Sequence, residues 1–430
     1  MSSGPRRVVF SIPLGYYART LLRSGVLDRL LETPATSVLI LTPAHQEAAF
    51  TEEFGHDGRV SFGSLHPGPD RLPLWERAFW KVAWALRERR ALFLPLMAAH
   101  ARIHLVTDRC RYAECFESFR PTLVVTGSPG YHSARDIPVI RDARRYGVAT
   151  LCVVYSWDNL LTNMNGLMPT RPDWLAVWNE RMQREAITMH HYPPERVAVV
   201  GPPHFDIYQD RRIYLNRRTF CEKLGLDPTR ALITVAASHN AMLDQSFVLE
   251  ALTRSLRAER LARPAQILWR AHPLDRTDFY RRHAGRADVV FDCTLRRSEM
   301  LKWDPDRAEM VHLANILYHS DVVVNVASTI TIEAAILDRP VVNVAWSPIQ
   351  PDRFQQEIVV GHYQKHYAYV LEHRCTFLAT SEDDLISSIN RYLEDPAIHR
   401  RERREMAEEM CYRLDGKAHQ RIADLILSLA

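Results

Sequence analysis

Short apolar runs of strand length recur along the chain and alternate with segments whose apolar residues follow a helical spacing. The runs are nearly continuous in Val, Ile and Leu, which is typical of strands covered on both faces of a sheet. Strands that alternate with helices predict βαβ units and parallel sheets. The predicted strands begin near Arg7, Ser37, Arg59, Pro121, Ala149, Asp173 and Arg196 in the first half, and near Ala231, Gln266, Ala287, Asp321 and Pro340 in the second.

A charged stretch without strand-like runs, from Asp206 to Arg230, separates the two series. We therefore predict an α/β protein with two doubly wound, Rossmann-like domains that face a central cleft. The ligands of such sheets bind at the carboxyl ends of the strands, so candidate residues are sought in the loops that follow them. The predicted divisions are a first domain over 1–205, a linker over 206–228, a second domain over 229–390 and a helical tail over 391–430.

Composition narrows the class of protein. Hydrophobic residues make up 47% and charged residues 25% of the chain, as in soluble proteins with a full core. The net charge of +4 is too small to indicate nucleic-acid binding, and the seven cysteines form no Cys-x-x-Cys pair. No apolar run approaches the roughly 20 residues of a membrane helix, and the first residues lack the apolar core of a signal peptide. A cytoplasmic location is therefore expected.

The segment from Asp321 to Val344 carries the strongest candidate chemistry. A strand is followed by a small hydroxyl-bearing turn at Ser328 and Thr329, and then by a helix that includes Glu333. Backbone N–H groups at a helix start, with hydroxyls beside them, suit a phosphate. Glu333 could accept hydrogen bonds from ribose hydroxyls. The residues alone equally allow Ser328 to cap the helix and Glu333 to support that cap.

A second candidate loop ends the strand that begins near Gln266. Arg270 and His272 lie at its carboxyl end, and Pro273 stiffens the loop. Either side chain could contact a phosphate and neutralise charge on a departing nucleotide, which makes His272 a catalytic candidate as well as a binding one. The alternative for His272 is a surface histidine beside a turn proline.

The His272-Pro273 loop, followed by the Ser328-Thr329 turn and Glu333, resembles the GT-B glycosyltransferase superfamily. It is most similar to the branch with CMP- or CDP-activated donors, which includes capsule sialyl- and Kdo-transferases and the CDP-glycerol glycerophosphotransferases of teichoic acid synthesis. The resemblance implies a GT-B fold. It also implies that the donor is held by Arg270, His272, Ser328, Thr329 and Glu333, with the turn at Gly201 nearby.

In the first half, two loops that follow strands hold the candidates for the acceptor side. One contains Asp158 and Asn159, and the other contains His132. Asp158 or His132 could act as the general base that deprotonates an acceptor hydroxyl, although Asp158 equally suits an Asx turn. Arg19, in the loop after the first strand, is predicted to meet an acidic acceptor. The acidic loop of the related UDP-N-acetylglucosamine 2-epimerases is not reproduced here.

Two further segments have competing interpretations. The stretch Leu74–Met97 combines three tryptophans with basic residues, as in helices that lie on anionic membranes, but such tryptophans also occur in cores. Asp304 and Asp306 form an Asp-x-Asp pair, the kind of motif that holds a metal in another glycosyltransferase class. Asp306 followed by Glu309 is better explained as a capping box. No metal is assigned, and no cofactor is expected besides the activated donor as substrate.

The resemblance implies a metal-independent GT-B glycosyltransferase of cell-surface polysaccharide synthesis. It would move a sugar from a nucleotide-activated donor to a glycan or lipid-linked acceptor, with peripheral contact at the inner membrane face through Leu74–Met97 and without a nucleic-acid partner. The alternatives are a CDP-glycerol-type polyol phosphotransferase, a non-hydrolysing UDP-N-acetylglucosamine 2-epimerase, and a catalytically silent protein that binds nucleotide sugars.

Overall fold

The computed structural model describes residues 4–66, 74–86, 88–127, 135–161, 168, 170–238, 244–272, 288–293 and 297–430. Its strands form a seven-stranded parallel sheet, a six-stranded parallel sheet and one two-stranded antiparallel ribbon. The predicted α/β class with two Rossmann-like sheets is confirmed.

The first sheet has the order β3-β2-β1-β4-β5-β6-β7, and the second has the order β10-β9-β8-β13-β14-β15. In each sheet the chain starts at an interior strand, builds outward on one side and then crosses to the other. This produces a switch point between β1 and β4 and another between β8 and β13. The strands are β1 (Arg6–Ser11), β2 (Thr36–Thr42), β3 (Val60–Ser64), β4 (Leu123–Thr126), β5 (Ala149–Val153), β6 (Trp174–Val177), β7 (Val197–Val199), β8 (Ala231–Ala236), β9 (Ala265–Arg270), β10 (Val289–Asp292), β11 (Arg297–Ser298), β12 (Lys302–Trp303), β13 (Val322–Asn325), β14 (Val341–Val344) and β15 (Phe377–Ala379).

Helices connect the strands. The α-helices among the described residues are α1 (Gly15–Leu21), α2 (Val26–Leu31), α3 (Ala48–Phe54), α4 (Leu74–Leu86), α5 (Arg90–Thr107), α6 (Asp136–Arg145), α7 (Glu180–Thr188), α8 (Arg217–Leu224), α9 (Ser246–Arg257), α10 (Arg307–His319), α11 (Ile330–Ile336), α12 (Pro351–Phe354), α13 (Ala368–Glu372), α14 (Glu382–Glu394), α15 (Arg400–Cys411) and α16 (Ala418–Leu429). Shorter 3₁₀ or π turns lie at Cys115–Phe119, Pro194–Arg196, Pro203–Gln209, Arg211–Ile213 and Gln355–Tyr363.

Every strand predicted from an apolar run is present, with bounds that shift by a residue or two. The structure adds strands that the pattern does not reveal, namely β11, β12 and β15. Leu378, in the middle of β15, is exposed, so this short edge strand carries little of the apolar signal.

The chain divides into two compact units. Unit 1 comprises 1–206, 297–304 and 411–430, and unit 2 comprises 207–296 and 305–410. The sequence pattern instead predicts a linker over 206–228 and a separate tail over 391–430. In the structure α8 lies inside the first of these stretches, and its Phe220 and Cys221 pack with Leu232 and Leu268 of unit 2. In unit 1, Ile422 and Ile426 of α16 join the core formed by the first strands and helices.

A buried ion-pair network attaches the segment 297–304 within unit 1. Arg23 Nη1 lies 2.5 Å from Asp304 Oδ1, and Arg23 Nε lies 2.7 Å from Glu53 Oε1. The side chains of Arg23 and Asp304 are only 2% and 1% exposed. Burial opposes the charge on Arg23, but the two carboxylates outweigh it, so the pKa of Arg23 is raised. Asp304 is thus part of a structural ion pair.

Replacing Arg23 should destabilise unit 1. Arg23→Met leaves the buried Asp304 carboxylate without its partner, and breaking a buried pair in this way costs about 3–5 kcal/mol of unfolding free energy. We expect a lower midpoint in urea denaturation followed by circular dichroism. The control is Arg29→Met, because the Arg29–Glu32 pair is exposed and its loss should leave the midpoint unchanged. Equal midpoints for the Arg23 variant and the native chain would contradict this account.

Candidate functional site

The donor-side candidates lie at the carboxyl edge of the second sheet. His272 follows β9, and Ser328 and Thr329 follow β13; β8 lies between these two strands. The hydroxyl of Ser238, just after β8, donates to the Val326 carbonyl at 3.3 Å and so links the loops on the two sides of the switch point. The structure therefore brings His272 and the Ser328-Thr329 turn to the same edge, while Pro273 lies outside the described residues.

The turn before α11 has a constrained backbone. Ala327 has φ of +39°, a left-handed conformation that non-glycine residues seldom adopt. The Ile330 N–H donates to Ser328 Oγ at 3.2 Å, and the Thr331 N–H donates to the Ser328 carbonyl at 3.0 Å. The helix begins at Ile330 with Thr329 at the N-cap position, so Ser328 makes a local turn contact and is not the N-cap that the residues alone allowed.

A buried hydrogen-bond network beneath this turn holds β13 and β14 together. Asn343 Nδ2 donates to Asn325 Oδ1 at 2.8 Å and to Tyr367 Oη at 3.0 Å, and Asn325 Nδ2 donates to Thr331 Oγ1 at 3.0 Å. The hydroxyls of Thr331 and Tyr367 are 2.6 Å apart. Tyr363 adds a bridge above the network, because its hydroxyl accepts from the Ala327 N–H and donates to the Val344 carbonyl. These hydrogen bonds fix the turn, and Asn343 Oδ1 is the one amide oxygen of the network without a partner among the described residues.

Arg270 lies in a buried charge network. It bonds to Asp292 at the end of β10, and its Nη2 lies 2.6 Å from Glu309 Oε1. His312 Nε2 lies 2.9 Å from the other Asp292 oxygen. Burial opposes the charge on Arg270, but the two carboxylates raise its pKa. Its charge is therefore already balanced by protein groups.

The predicted capping role of Asp306 is confirmed, since its carboxylate accepts from the Glu309 N–H at 2.8 Å. The side chain of Glu309, however, pairs with Arg270 rather than completing a capping box.

Glu333 and Gly201 have close local partners. The Glu333 carboxylate is buried and accepts a hydrogen bond from the hydroxyl of Tyr208, within unit 2. Gly201 has φ of +83°, and a Cβ there would lie 3.0 Å from the Cys411 carbonyl oxygen. Packing within unit 1, together with the left-handed backbone, therefore requires glycine at this position.

On the first sheet, Asp158 and Asn159 lie in the loop after β5. The hydroxyl of Ser156 donates to Asp158 Oδ1 at 2.5 Å, and Asn159 is fully buried. Asp158 is partly exposed, so its carboxylate combines a local turn contact with access to solvent. Arg19 lies on α1, 5.2 Å from the ring centroid of Trp303. His132 lies outside the described residues.

The family model for CDP-glycerol:poly(glycerophosphate) glycerophosphotransferases matches residues 163–428, more than half of the chain. The chain belongs to this family. It is therefore a transferase that uses a nucleotide-activated donor in cell-surface polymer synthesis. None of the curated proteins matches the chain in sequence.

Solved structures resemble this transferase over nearly its whole length. The UDP-GlcNAc 2-epimerase from Neisseria meningitidis has a TM-score of 0.59 at 12% identity, covering 98% of this chain and 100% of its own. A glycosyltransferase from Rickettsia africae has a TM-score of 0.55 at 12% sequence identity, and the match covers 100% of both chains. The wall teichoic acid polymerase TagF has a TM-score of 0.55 at 12% sequence identity, and the match covers 99% of this chain and 88% of TagF. At these identities the likeness shows the fold alone.

Two features of the transferase were missed from sequence. His100 and His104 lie one helical turn apart on the inner face of α5, with Glu76 of α4 opposite, and the three could hold a metal ion. Their i,i+4 spacing was the available signal. Asp136, at the start of α6, is fully buried and accepts a hydrogen bond from Ser11 at the end of β1. Burial raises the pKa of Asp136 to about 7.

The tryptophans of the Leu74–Met97 stretch divide between two environments. Trp80 is half-buried, whereas Trp75 and Trp84 are 46% and 41% exposed. The core interpretation therefore does not hold for Trp75 and Trp84. Among the described residues, no helix has the length and apolar character to cross a membrane.

Burial of Asp136 should make stability depend on pH. The folded chain keeps the Asp136 proton up to about pH 7, while an unfolded aspartate releases it near about pH 4. The contribution of this group to stability is thus complete below about pH 4 and is lost as the pH rises to about 7. Asp136→Asn keeps an acceptor for Ser11 and cannot ionise. Its melting temperature relative to the native chain should rise between pH 4 and 7 and level off above that range.

The matched control is Asp352→Asn, because Asp352 is exposed. Its melting temperature relative to the native chain should stay constant. A constant difference for Asp136→Asn as well would show that Asp136 is ionised in the folded protein throughout this range.

Proposed function

We propose that this chain transfers a polyol phosphate, of the glycerol phosphate type, from a CDP-activated donor to a growing cell-surface polymer. The observation that carries the proposal is the family match over 163–428, which includes the whole of the second sheet with His272, Ser328 and Glu333. Sugar transfer, which the sequence placed first, becomes the alternative. The epimerase fold neighbours support neither reaction, because they share only the fold.

The donor side of the proposal uses the carboxyl edge of the second sheet. His272 and the Ser328-Thr329 turn would bind the diphosphate, since both lie on loops beside the switch point of β8 and β13. Glu333, held by Tyr208, would accept hydrogen bonds from the ribose. Arg270 acts here as a positioning residue, because Asp292 and Glu309 already balance its charge while it holds the end of β9.

The reaction is a displacement at phosphorus. An acceptor hydroxyl attacks the phosphorus that bears the glycerol, the bond from that phosphorus to the bridging oxygen breaks, and CMP leaves. The hydroxyl proton passes to a base, which we place at Asp158, with His132 as the alternative. The partly exposed carboxylate of Asp158 at the carboxyl end of β5 supports this choice. The acceptor would be glycan or lipid-linked, with Asn159 and Arg19 on its side of the site, and the reaction would take place in the cytoplasm without a further cofactor.

Product analysis with a donor panel tests the function. The purified chain is incubated with CDP-glycerol, a CMP-sugar or UDP-N-acetylglucosamine, each with and without a lipid-linked glycerol phosphate oligomer. We expect CMP to appear only from CDP-glycerol and only with the acceptor, together with a product one glycerol phosphate longer. Sugar added to the acceptor from either sugar nucleotide, or an epimerised UDP-sugar, would overturn the proposal in favour of the corresponding alternative.

Two variants separate binding from chemistry in the same assay. His272→Ala should weaken CDP-glycerol binding by about 1–3 kcal/mol in calorimetry, the cost of a lost hydrogen bond to a charged partner. Asp158→Asn keeps the size of the side chain and should leave donor affinity unchanged while lowering kcat by roughly 10²–10⁴-fold. Normal turnover in Asp158→Asn would reassign the base.

We further propose that α4 and α5 bring the enzyme to the membrane surface. Their outward faces expose apolar side chains beside basic ones such as Arg77 and Lys81, a combination that suits an anionic lipid surface. The exposed apolar residues are Leu74, Trp75, Val82, Trp84, Leu92 and Ile103.

Vesicle flotation tests the membrane proposal. At low salt the native chain should float with vesicles that contain phosphatidylglycerol and not with vesicles of phosphatidylcholine alone. The double variant Trp75→Ser, Trp84→Ser should remain at the bottom of the gradient. Leu378→Ser is the control, since Leu378 is also 41% exposed but lies on unit 2. Flotation of the tryptophan variant at the native level would contradict the proposal.

A further inference from the structure

Glu76, His100 and His104 form a cluster of metal-ligating atoms on two helices of unit 1. Glu76 lies on the inner face of α4, and the two histidines lie on the inner face of α5. All three residues are buried. His100 Nε2 and His104 Nε2 are 3.1 Å apart, and Glu76 Oε1 lies 3.5 and 3.4 Å from them.

These distances match the edges of a coordination tetrahedron. Zinc binds imidazole nitrogen and carboxylate oxygen at about 2.0–2.2 Å, so ligand atoms around a tetrahedral ion are about 3.4 Å apart. Hydrogen bonds explain only part of the cluster. When both rings are neutral, His100 Nε2 can donate to His104 Nε2, but the Glu76 carboxylate oxygen is farther from both nitrogens than the usual limit of about 3.2 Å.

A further carboxylate gives His104 the tautomer that a metal ligand needs. His104 Nδ1 lies 3.0 Å from both carboxylate oxygens of Asp108, which leaves the Nε2 lone pair to face Glu76 and His100. Asp108 is in turn held by Arg141 Nη1 at 2.6 Å. A carboxylate on the distal nitrogen of a ligating histidine is a recurrent feature of zinc sites.

The charges and the access route also suit a cation. Two carboxylates, those of Glu76 and Asp108, lie beside the two imidazoles, and Arg141 contacts both of them. His100 and His104 line a cavity of about 630 Å³, through which an ion could reach the site. The cavity is otherwise rich in arginine, with Arg144, Arg171 and Arg196 in its wall, so the fourth position of a tetrahedral ion would go to water or a small anion.

We propose that Glu76, His100 and His104 bind one Zn²⁺ ion, which fastens α4 to α5. Apart from this cluster, the hairpin has a small core of its own, centred on Ala83, Phe93 and Met97. A metal bridge between the two helices would supply stability that this core cannot. The site differs from the acidic pair at Asp304 and Asp306, whose carboxylates pair with Arg23 and cap α10.

The first test uses the native full-length chain. Protein stripped with a chelator is titrated with ZnCl₂ against a competing colour indicator, and Co²⁺ is added separately to report geometry by visible absorption. We expect one Zn²⁺ per chain, a higher melting temperature on binding and the intense absorption of tetrahedral Co²⁺. Failure of the stripped, folded chain to bind stoichiometric Zn²⁺ would overturn the proposal, and this result does not depend on any variant folding.

Variants then place the ion. His104→Ala should abolish stoichiometric binding, and Asp108→Asn should weaken it by about 10–100-fold, the usual effect of losing a partner of a ligating histidine. His362→Ala is the matched control, because His362 and His366 share the i,i+4 spacing but have no third metal-binding donor among the described residues. Equal Zn²⁺ affinity in His104→Ala and His362→Ala would overturn the assignment to this cluster.

Discussion

Both units depend on one constraint: the first strand of each sheet lies in its interior and pairs in parallel with a strand on either side. β1 and β8 each have a neighbour on both sides, and the chain leaves toward one side before it returns to the other. The loops that follow the two strands at a switch point therefore diverge and leave a crevice at the carboxyl edge. Because every parallel strand ends at that edge, residues far apart in sequence, such as His272 and Ser328, come to the same edge of the sheet, on the two sides of β8.

The loops at this edge are fixed from below by polar groups rather than by apolar packing. Asn325 and Asn343 are fully buried on adjacent strands and bond to each other. Both also bond to Thr331, and Asn343 bonds to Tyr367. A buried network of this kind permits few alternative arrangements, because a rearrangement would break several of its hydrogen bonds at once. The unusual backbone of Ala327 can persist for the same reason.

In both units a buried arginine is held by carboxylates from other parts of the chain. Arg23 and Arg270 each contact two carboxylates, and each carries a raised pKa. Such pairs need not add net stability, but they make the removal of a single partner expensive. They therefore specify which segments meet, Asp304 with Arg23 in unit 1 and α10 with β9 in unit 2.

The apolar pattern was sufficient to predict the strands, because buried parallel strands are continuous in Val, Ile and Leu. It was insufficient for β15, where exposed Leu378 interrupts the signal. Local motifs predicted the loops at Arg270 and Ser328, but not the partners of those side chains. Asp292 and Glu309 reach Arg270 from other elements, and Glu76 reaches His100 and His104 from another helix. Such partners depend on tertiary packing, which periodicity along one element does not encode.

The position of α16 has a consequence for synthesis. Ile422 and Ile426 belong to the core of unit 1, although the chain between 207 and 410 is devoted mostly to unit 2. During translation, the strands of unit 1 emerge from the ribosome long before the helix that covers part of their core. Nascent unit 1 must therefore keep an apolar groove open while unit 2 is made, and during that interval it offers chaperones a binding surface that the finished enzyme lacks.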